Sequence, residues 1–280
     1  MKEKLRLASL YLNVEQTLKL KDLTDIKRHP KYDDMEVQKL LSAYEQYLGF
    51  SFFDDDEYPQ SLKESFNPPY FIHYLGSIKG LKHPVALLGD YNSCEDDKSI
   101  AFQFALELLQ NNVSILCGTG MGIENAIVES GAYTTTPIYA VEGRGILSAN
   151  PRFYAPILLS GGAVIAMGDP YAAWSREGDE QKAFLLSSLA SCIVVLPTDN
   201  YLTVEHIVRD AIESGKDVFV HRSSLSSKIG RRIAEDGARI IDGVGHLLDY
   251  FCIERSSIIL PHKMGDIRYG KSRFKEIKLN

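Results

Sequence analysis

The sequence predicts an α/β protein: a doubly wound, mostly parallel Rossmann-like sheet with a small helical N-terminal appendage. Three observations carry that reading. From residue 84 onward, short apolar runs alternate with stretches of helical spacing. The runs are apolar along nearly their whole length, which marks strands covered by helices on both faces. The run Val113 to Cys117 then breaks into three glycines at alternate positions, Gly118, Gly120 and Gly122, before a helical pattern begins at Ile123. That is a strand, a glycine-rich turn and a helix start, where the backbone can approach a ligand and the free amides of the first helical turn favour an anion. Such turns also join strands to helices in sheets that bind nothing, so ligand binding stays open on this stretch alone.

Taken in order, residues 1–57 form the appendage. Leu5, Leu7, Leu10, Leu12 and Leu18, then Val37, Leu40, Leu41, Tyr44 and Leu48, follow helical spacing, with Gly49 placed as a C-cap. The acidic run Asp54 to Glu57 reads as a solvated loop, because no alternating ligand pattern accompanies it. Residues 58–252 form the main domain. Proline-stiffened turns (Pro59, Pro68, Pro69) and an aromatic strand, Tyr70 to Gly76, lead into it. Strands follow over 85–88, 113–116, 137–141, 163–166, 192–196, 217–220 and 238–241. The intervening helices fall at about 98–110, 123–132, 150–158, 178–190, 203–214 and 228–236. Residues 253–280 form a basic tail with seven Lys/Arg against three acids, read as a solvated extension or a weak electrostatic arm for nucleic acid.

Composition narrows the function classes. The 280 residues are 45% apolar, ordinary for a globular chain, and carry a net charge of −6. That balance argues against an indiscriminate nucleic-acid binder, so a local patch would have to do such work. The cysteines Cys94, Cys117, Cys192 and Cys252 lie far apart with no metal-ligand spacing, which predicts reduced, structural thiols. No run approaches the roughly 20 apolar residues needed to span a bilayer, and no signal-peptide core follows the N-terminus. A cytoplasmic protein without membrane contact, metal or other cofactor is expected.

Ligands of an open parallel sheet bind beyond the carboxyl ends of the strands, where strand order reverses. Three turns are therefore candidates: Gly89 to Cys94, Gly118 to Gly122, and Pro197 to Thr203. Asp90 is the awkward member, because a carboxylate facing a phosphate repels it unless a cation or ribose hydroxyl is the partner. Glu205 and His206 could act in acid/base work or simply form a polar helix face. Trp174, with Tyr171 and Arg176, could stack on a base or pack in a loop. Serine-hydrolase, zincin and P-loop motifs are absent.

Together these stretches resemble the DprA/Smf family of DNA-processing proteins, colinearly from about Tyr58 to Asp249. Tyr58-Pro59 with Leu62, Pro68-Pro69 and Gly76 is similar to the family's YP..L....PP..LY..G lead-in. Val85 to Gly89 stands where the family has VAIVGSR, and Cys117 to Glu124 where it has SGLARGID. Leu185 to Pro197 resembles IIAGLS...VLVVEA, Leu202-Thr203 with Ala211 to Phe219 resembles LITA...AL..GR.VFA, and Gly230 to Ile240 resembles GTN.LI.DGA. The resemblance implies a non-catalytic protein that binds single-stranded DNA as a homodimer and helps load a RecA-type recombinase during DNA uptake. It points to Gly89, Asp90, Ser93, Gly118, Thr119, Gly120, Gly122, Gln181, Lys182 and Thr203 as ligand contacts. Three departures matter. Asp90-Tyr91 replaces the Ser-Arg of GSR, Met121 replaces the arginine of the second motif, and the RNR triplet is reduced to the Gln181-Lys182 region with one cation. Losing guanidiniums removes charge-assisted phosphate contacts, so weak or altered binding is expected.

Another class is carried beside it. The sheet also resembles the LOG family of nucleotide phosphoribohydrolases, whose glycine turn, ERK segment and PGG.GT.EE motif fall near Gly118–Gly122, Glu180-Gln181-Lys182 and Pro197–Glu205. The two glycines after Pro197 are missing. A non-catalytic nucleotide-binding or interaction protein is the third reading.

Overall fold

The structure, a computed structural model, describes residues 4, 5, 8, 34–46, 48–198 and 201–254. Its strands are β1 (Gly49–Phe52), β2 (Phe71–Gly76), β3 (Val85–Leu88), β4 (Ile115–Gly118), β5 (Ile138–Val141), β6 (Ala163–Ala166), β7 (Cys192–Val195), β8 (Asp217–His221) and β9 (Arg239–Ile241). The helices are α1 (Asp34–Glu45), α2 (Gln60–Lys63), α3 (Glu95–Gln110), α4 (Ile123–Ser130), α5 (Ala155–Leu159), α6 (Arg176–Leu189), α7 (Tyr201–Glu213), α8 (Lys228–Glu235) and α9 (Gly245–Tyr250).

One nine-stranded sheet runs β1-β2-β6-β5-β4-β3-β7-β8-β9. Strands β3 to β9 pair in parallel, while β1 and β2 add an antiparallel edge beside β6. The chain lays β4, β5 and β6 on one side of β3 and then crosses to lay β7, β8 and β9 on the other. The reversal between β3 and β7 is the topological switch point, so the expected doubly wound, mostly parallel Rossmann-like sheet is what forms.

Alternation along the buried strands divides the core into two layers. Val85, Leu87, Ile115 and Cys117 meet Phe102, Phe104 and Leu108 of α3 and Ile123 and Ile127 of α4. Ala86, Leu88, Leu116 and Ile193 meet Leu185, Leu186 and Leu189 of α6 and Ile207 and Ala211 of α7. Each large side chain buried this way contributes about 1.5–3 kcal/mol of hydrophobic stabilisation. That is why strands only four residues long suffice once both faces are covered.

One reading in the N-terminal segment is corrected. Gly49 does not cap a helix: α1 ends at Glu45, and Gly49 opens β1, paired to Tyr74 of β2. The physical reason is the aromatic pair Phe50 and Phe52, which packs against Phe71 with ring centroids 6.0 and 5.9 Å away. Leu5, Ala8, Leu40 and Ala43 belong to the same core layer as these rings, so α1 is packed into the main domain. The acidic run is also partly recruited, since Lys4 pairs with Asp54 and Asp55. The helical expectations at Leu7, Leu10, Leu12 and Leu18, and the tail beyond Glu254, lie outside the described residues. No described helix is long and apolar enough to cross a membrane. No group of three His, Cys, Asp or Glu among the described residues could hold a metal ion. Cys94, Cys117, Cys192 and Cys252 are all free thiols.

Candidate functional site

The three predicted turns meet at the switch point, and the backbone of Asp90 ties them together. Its N–H donates to the Pro197 carbonyl at 3.2 Å, and its own carbonyl accepts from the Ile123 N–H at 3.0 Å. The Asp90 side chain turns back to accept from the Asn92 N–H at 3.2 Å and is almost wholly buried. This is an Asx turn, so the carboxylate closes its own loop where an outward one would repel a phosphate. Gly122 makes the junction possible. It holds φ +67°, and a Cβ there would stand 2.3 Å from the Tyr91 carbonyl oxygen and 2.4 Å from that of Asp90.

The glycine turn is filled by a side chain of the chain itself. Glu124, one residue into α4, folds back so that its Oε2 accepts from the Gly120 N–H at 2.6 Å. Lys182 of α6 donates to Oε1 and Oε2 of the same carboxylate at 2.9 and 2.8 Å. Both side chains are only 15% exposed. A carboxylate at the N-terminus of a helix is favoured by the free amides and the dipole there, as a bound anion would be. Burial alone would lower the Lys182 pKa, but the Glu124 carboxylate outweighs it and holds it above the ordinary lysine value.

A second carboxylate organises the turn's other side. Glu142 follows β5 and is buried. It accepts from Thr119 Oγ1 at 2.8 Å and Tyr154 OH at 3.0 Å, and pairs with Arg144 at 3.2 Å. Burial by itself would raise the Glu142 pKa; the bonds from Arg144 and Thr119 outweigh burial and leave it below the ordinary carboxylate value. Tyr154 is pushed above its usual range by burial and by the Glu142 charge. At the neighbouring helix starts, Glu95, Asp96 and Asp97 occupy the first turn of α3, and Glu177 and Asp179 that of α6. Acids of the chain therefore sit at the N-termini of α3, α4 and α6.

The predicted ligand residues are only partly brought together. Gly89, Asp90, Gly118, Thr119, Gly120, Gly122 and Lys182 converge at the junction. Gln181, next to Lys182, does not reach the glycine turn; it lines a separate cleft of about 300 Å³ with Arg144, Gly168, Asp169 and Glu177. Consecutive helix residues point in different directions, which separates the pair. The Ser93 hydroxyl is buried with no hydrogen-bond partner among the described residues. Thr203 lies in the first turn of α7, and its side chain is outside the described atoms, as are residues 199 and 200. Met121 is 61% exposed and its Sδ accepts from Tyr91 OH at 3.1 Å. Trp174 is 67% exposed, its indole N–H donating to Asp179 at 3.2 Å. Glu205 pairs with Arg232 at 3.1 Å and His206 contacts Arg209, as expected of a polar helix face. Glu142 and Tyr154 were not singled out from sequence; the one available signal was an acid directly after an apolar strand.

The matched span decides the family. The family model described as DNA recombination-mediator protein A matches residues 49–251, from the first strand of the sheet to the end of α9. The chain belongs to the DNA recombination-mediator protein A family. It is 24% identical to the DNA processing protein DprA of Streptococcus pneumoniae over 257 residues, covering 82% of this chain and 86% of that protein. The X-ray structure of the S. pneumoniae protein superposes with a TM-score of 0.67 at 20% identity, over 91% of this chain and 94% of that one. The Helicobacter pylori DNA processing protein A, whose structure is described as revealing a single-stranded DNA binding mode, superposes with a TM-score of 0.63 at 17% identity. There the coverage is 74% of this chain and 97% of that one. At these identities the superpositions establish the shared fold.

Proposed function

We propose that this chain binds single-stranded DNA at the carboxyl rim of its sheet as part of DNA processing. In the same reading it acts as a homodimer and assists a RecA-type recombinase during DNA uptake. The observation that supports it is the extent of the family match. Residues 49–251 take in the whole sheet and all three loops at the switch point, the place where open α/β sheets bind ligands. The DprA of H. pylori has a described single-stranded DNA binding mode, and the present chain keeps the loops while carrying Tyr91 and Met121 where the family has arginines. Few phosphate contacts mean modest affinity with a shallow salt dependence.

The test uses the single tryptophan, Trp174, which is exposed before α6 on the same side of the sheet. Titrating an oligothymidylate at low salt should quench its fluorescence saturably, and the duplex form should quench less. Affinity no better than about millimolar would end the single-strand reading. The phosphoribohydrolase reading needs Glu205, a carboxylate engaged by Arg232. Release of ribose 5-phosphate from a nucleoside monophosphate, lost in Glu205→Gln, would restore it.

A further inference from the structure

We propose that Glu124 is a built-in counter-anion that occupies the glycine turn in place of a ligand phosphate and thereby sets how tightly this rim can hold a phosphodiester. The geometry has three parts. The Gly120 N–H is already satisfied by Glu124 Oε2 at 2.6 Å. Lys182, the lysine that reaches the turn among the described residues, gives hydrogen bonds to both oxygens of that carboxylate. The missing side chains of the turn are what make room. A Cβ on Gly118 would stand 2.0 Å from Glu124 Oε1 and 2.2 Å from Lys182 Nζ, and one on Gly120 would stand 2.3 Å from Glu124 Oε2. The glycines therefore cradle an anion, and the anion is the chain's own.

The charges around the turn reach the same result independently. Two carboxylates, Glu124 and Glu142, face two cations, Lys182 and Arg144, with Arg144 bonded to Glu142 and Lys182 to Glu124. These two pairs leave no cation of theirs unmatched. A phosphodiester entering the cluster would add an unpaired negative charge to a desolvated site, which is unfavourable unless it displaces a carboxylate. Glu142 is held by four groups of its own neighbourhood, Thr119, Tyr154, the Arg144 side chain and the Arg144 N–H. Glu124 is the carboxylate with fewer ties, one amide and one lysine, and is the one a phosphate would exchange with. Swinging it out toward solvent would release both the amide and the ammonium at once.

The nucleic-acid arm of this inference rests on the single-strand reading; the phosphate arm does not. Melting curves of the full chain are recorded with rising inorganic phosphate for the native protein, Glu124→Gln and Glu124→Asp. The native protein should be indifferent to phosphate beyond the effect of sodium chloride at equal ionic strength. Glu124→Gln should gain a melting temperature that climbs with phosphate concentration, since a ligand that binds only the folded state stabilises it by mass action. Glu124→Asp keeps the charge balance but withdraws the carboxylate from the Gly120 amide, and should respond in between. The same Glu124→Gln chain should bind oligothymidylate about tenfold more tightly, the effect of one charge-assisted hydrogen-bonding group. Phosphate stabilisation of the native protein to the same degree would overturn the proposal, because the turn would then be open. So would a folded Glu124→Gln that ignores phosphate. If Glu124→Gln does not fold, an indifferent Glu124→Asp overturns it equally. A phosphate response with no oligonucleotide binding by any variant upholds the role of Glu124 and removes the single-strand reading instead.

Discussion

Helix α6 touches a half-buried lysine in each half, and the two are held in opposite ways. Lys182 projects from its first half toward the carboxyl rim of the sheet, where it meets the full negative charge of Glu124. Lys216, from the turn before β8, reaches the last turn of the same helix and donates to the carbonyls of Ser187 and Ser188 at 2.6 and 2.7 Å. Both sets of contacts are well made by distance. The protonation equilibria separate them: burial pushes the Lys216 pKa down to about 8, whereas Lys182 is held above the ordinary value. Two carbonyl dipoles satisfy the donors of an ammonium without offsetting the loss of its hydration; a carboxylate does both. The rim with the ligand-binding topology is thus the one where charge is matched internally.

The widest gap between the two lysines should appear in stability. Lys182→Ala leaves Glu124 in the glycine turn with one amide and no cation, and should cost about 3 kcal/mol in chemical denaturation, the usual result of breaking a buried pair from one side. A loss under about 1 kcal/mol would mean the pair is screened like a surface one, and the contrast between the two ends of α6 would collapse. Lys216→Met keeps the apolar stem and removes a charge that burial already disfavours. Lost hydrogen bonds and relieved desolvation then oppose each other, and the net change should stay within about 1 kcal/mol.

Much of this architecture could be read from the chain alone. The buried parallel strands were visible as apolar runs, because strands covered on both faces leave no polar alternation to confuse them. The three turns were visible because glycine and an Asx residue mark the conformations they need. What stayed hidden were side-chain directions and distant partners. Glu124 could be seen at the helix start, but its folding back onto Gly120 could not, since its cation is Lys182, a residue on a different crossover. Asp90 looked like an obstacle to phosphate until its carboxylate was found bonded to the Asn92 amide. Gly49 was misleading because a glycine after a helical stretch signals a C-cap as readily as the start of a short strand, and only the Phe50 and Phe52 packing against β2 decides. Lys216 carried no signal, because its partners are main-chain carbonyls that any sequence supplies.

The smallest expected effect, and the most direct test of the lysine contrast, is the dependence of stability on pH. Lys216 has a folded pKa of about 8 against an ordinary 10.5. Between those values the unfolded chain binds more protons than the folded one, so this lysine makes stability rise with pH across that window. Lys182 lies above 10.5 when folded. Its contribution is fully present below that value and is lost as pH climbs through the folded pKa. The two slopes have opposite signs in adjoining ranges. Buried Cys117, Cys192 and Tyr154 are also held protonated above their ordinary values, so they pull stability down as the unfolded chain ionises. The lysine terms must therefore be read as differences between curves. Subtracting the Lys216→Met curve from the native one should leave a rise from about pH 8 to 10.5. A flat difference would mean that Lys216 is hydrated despite its two carbonyls, and that a carboxylate partner is not what distinguishes the two ends of α6.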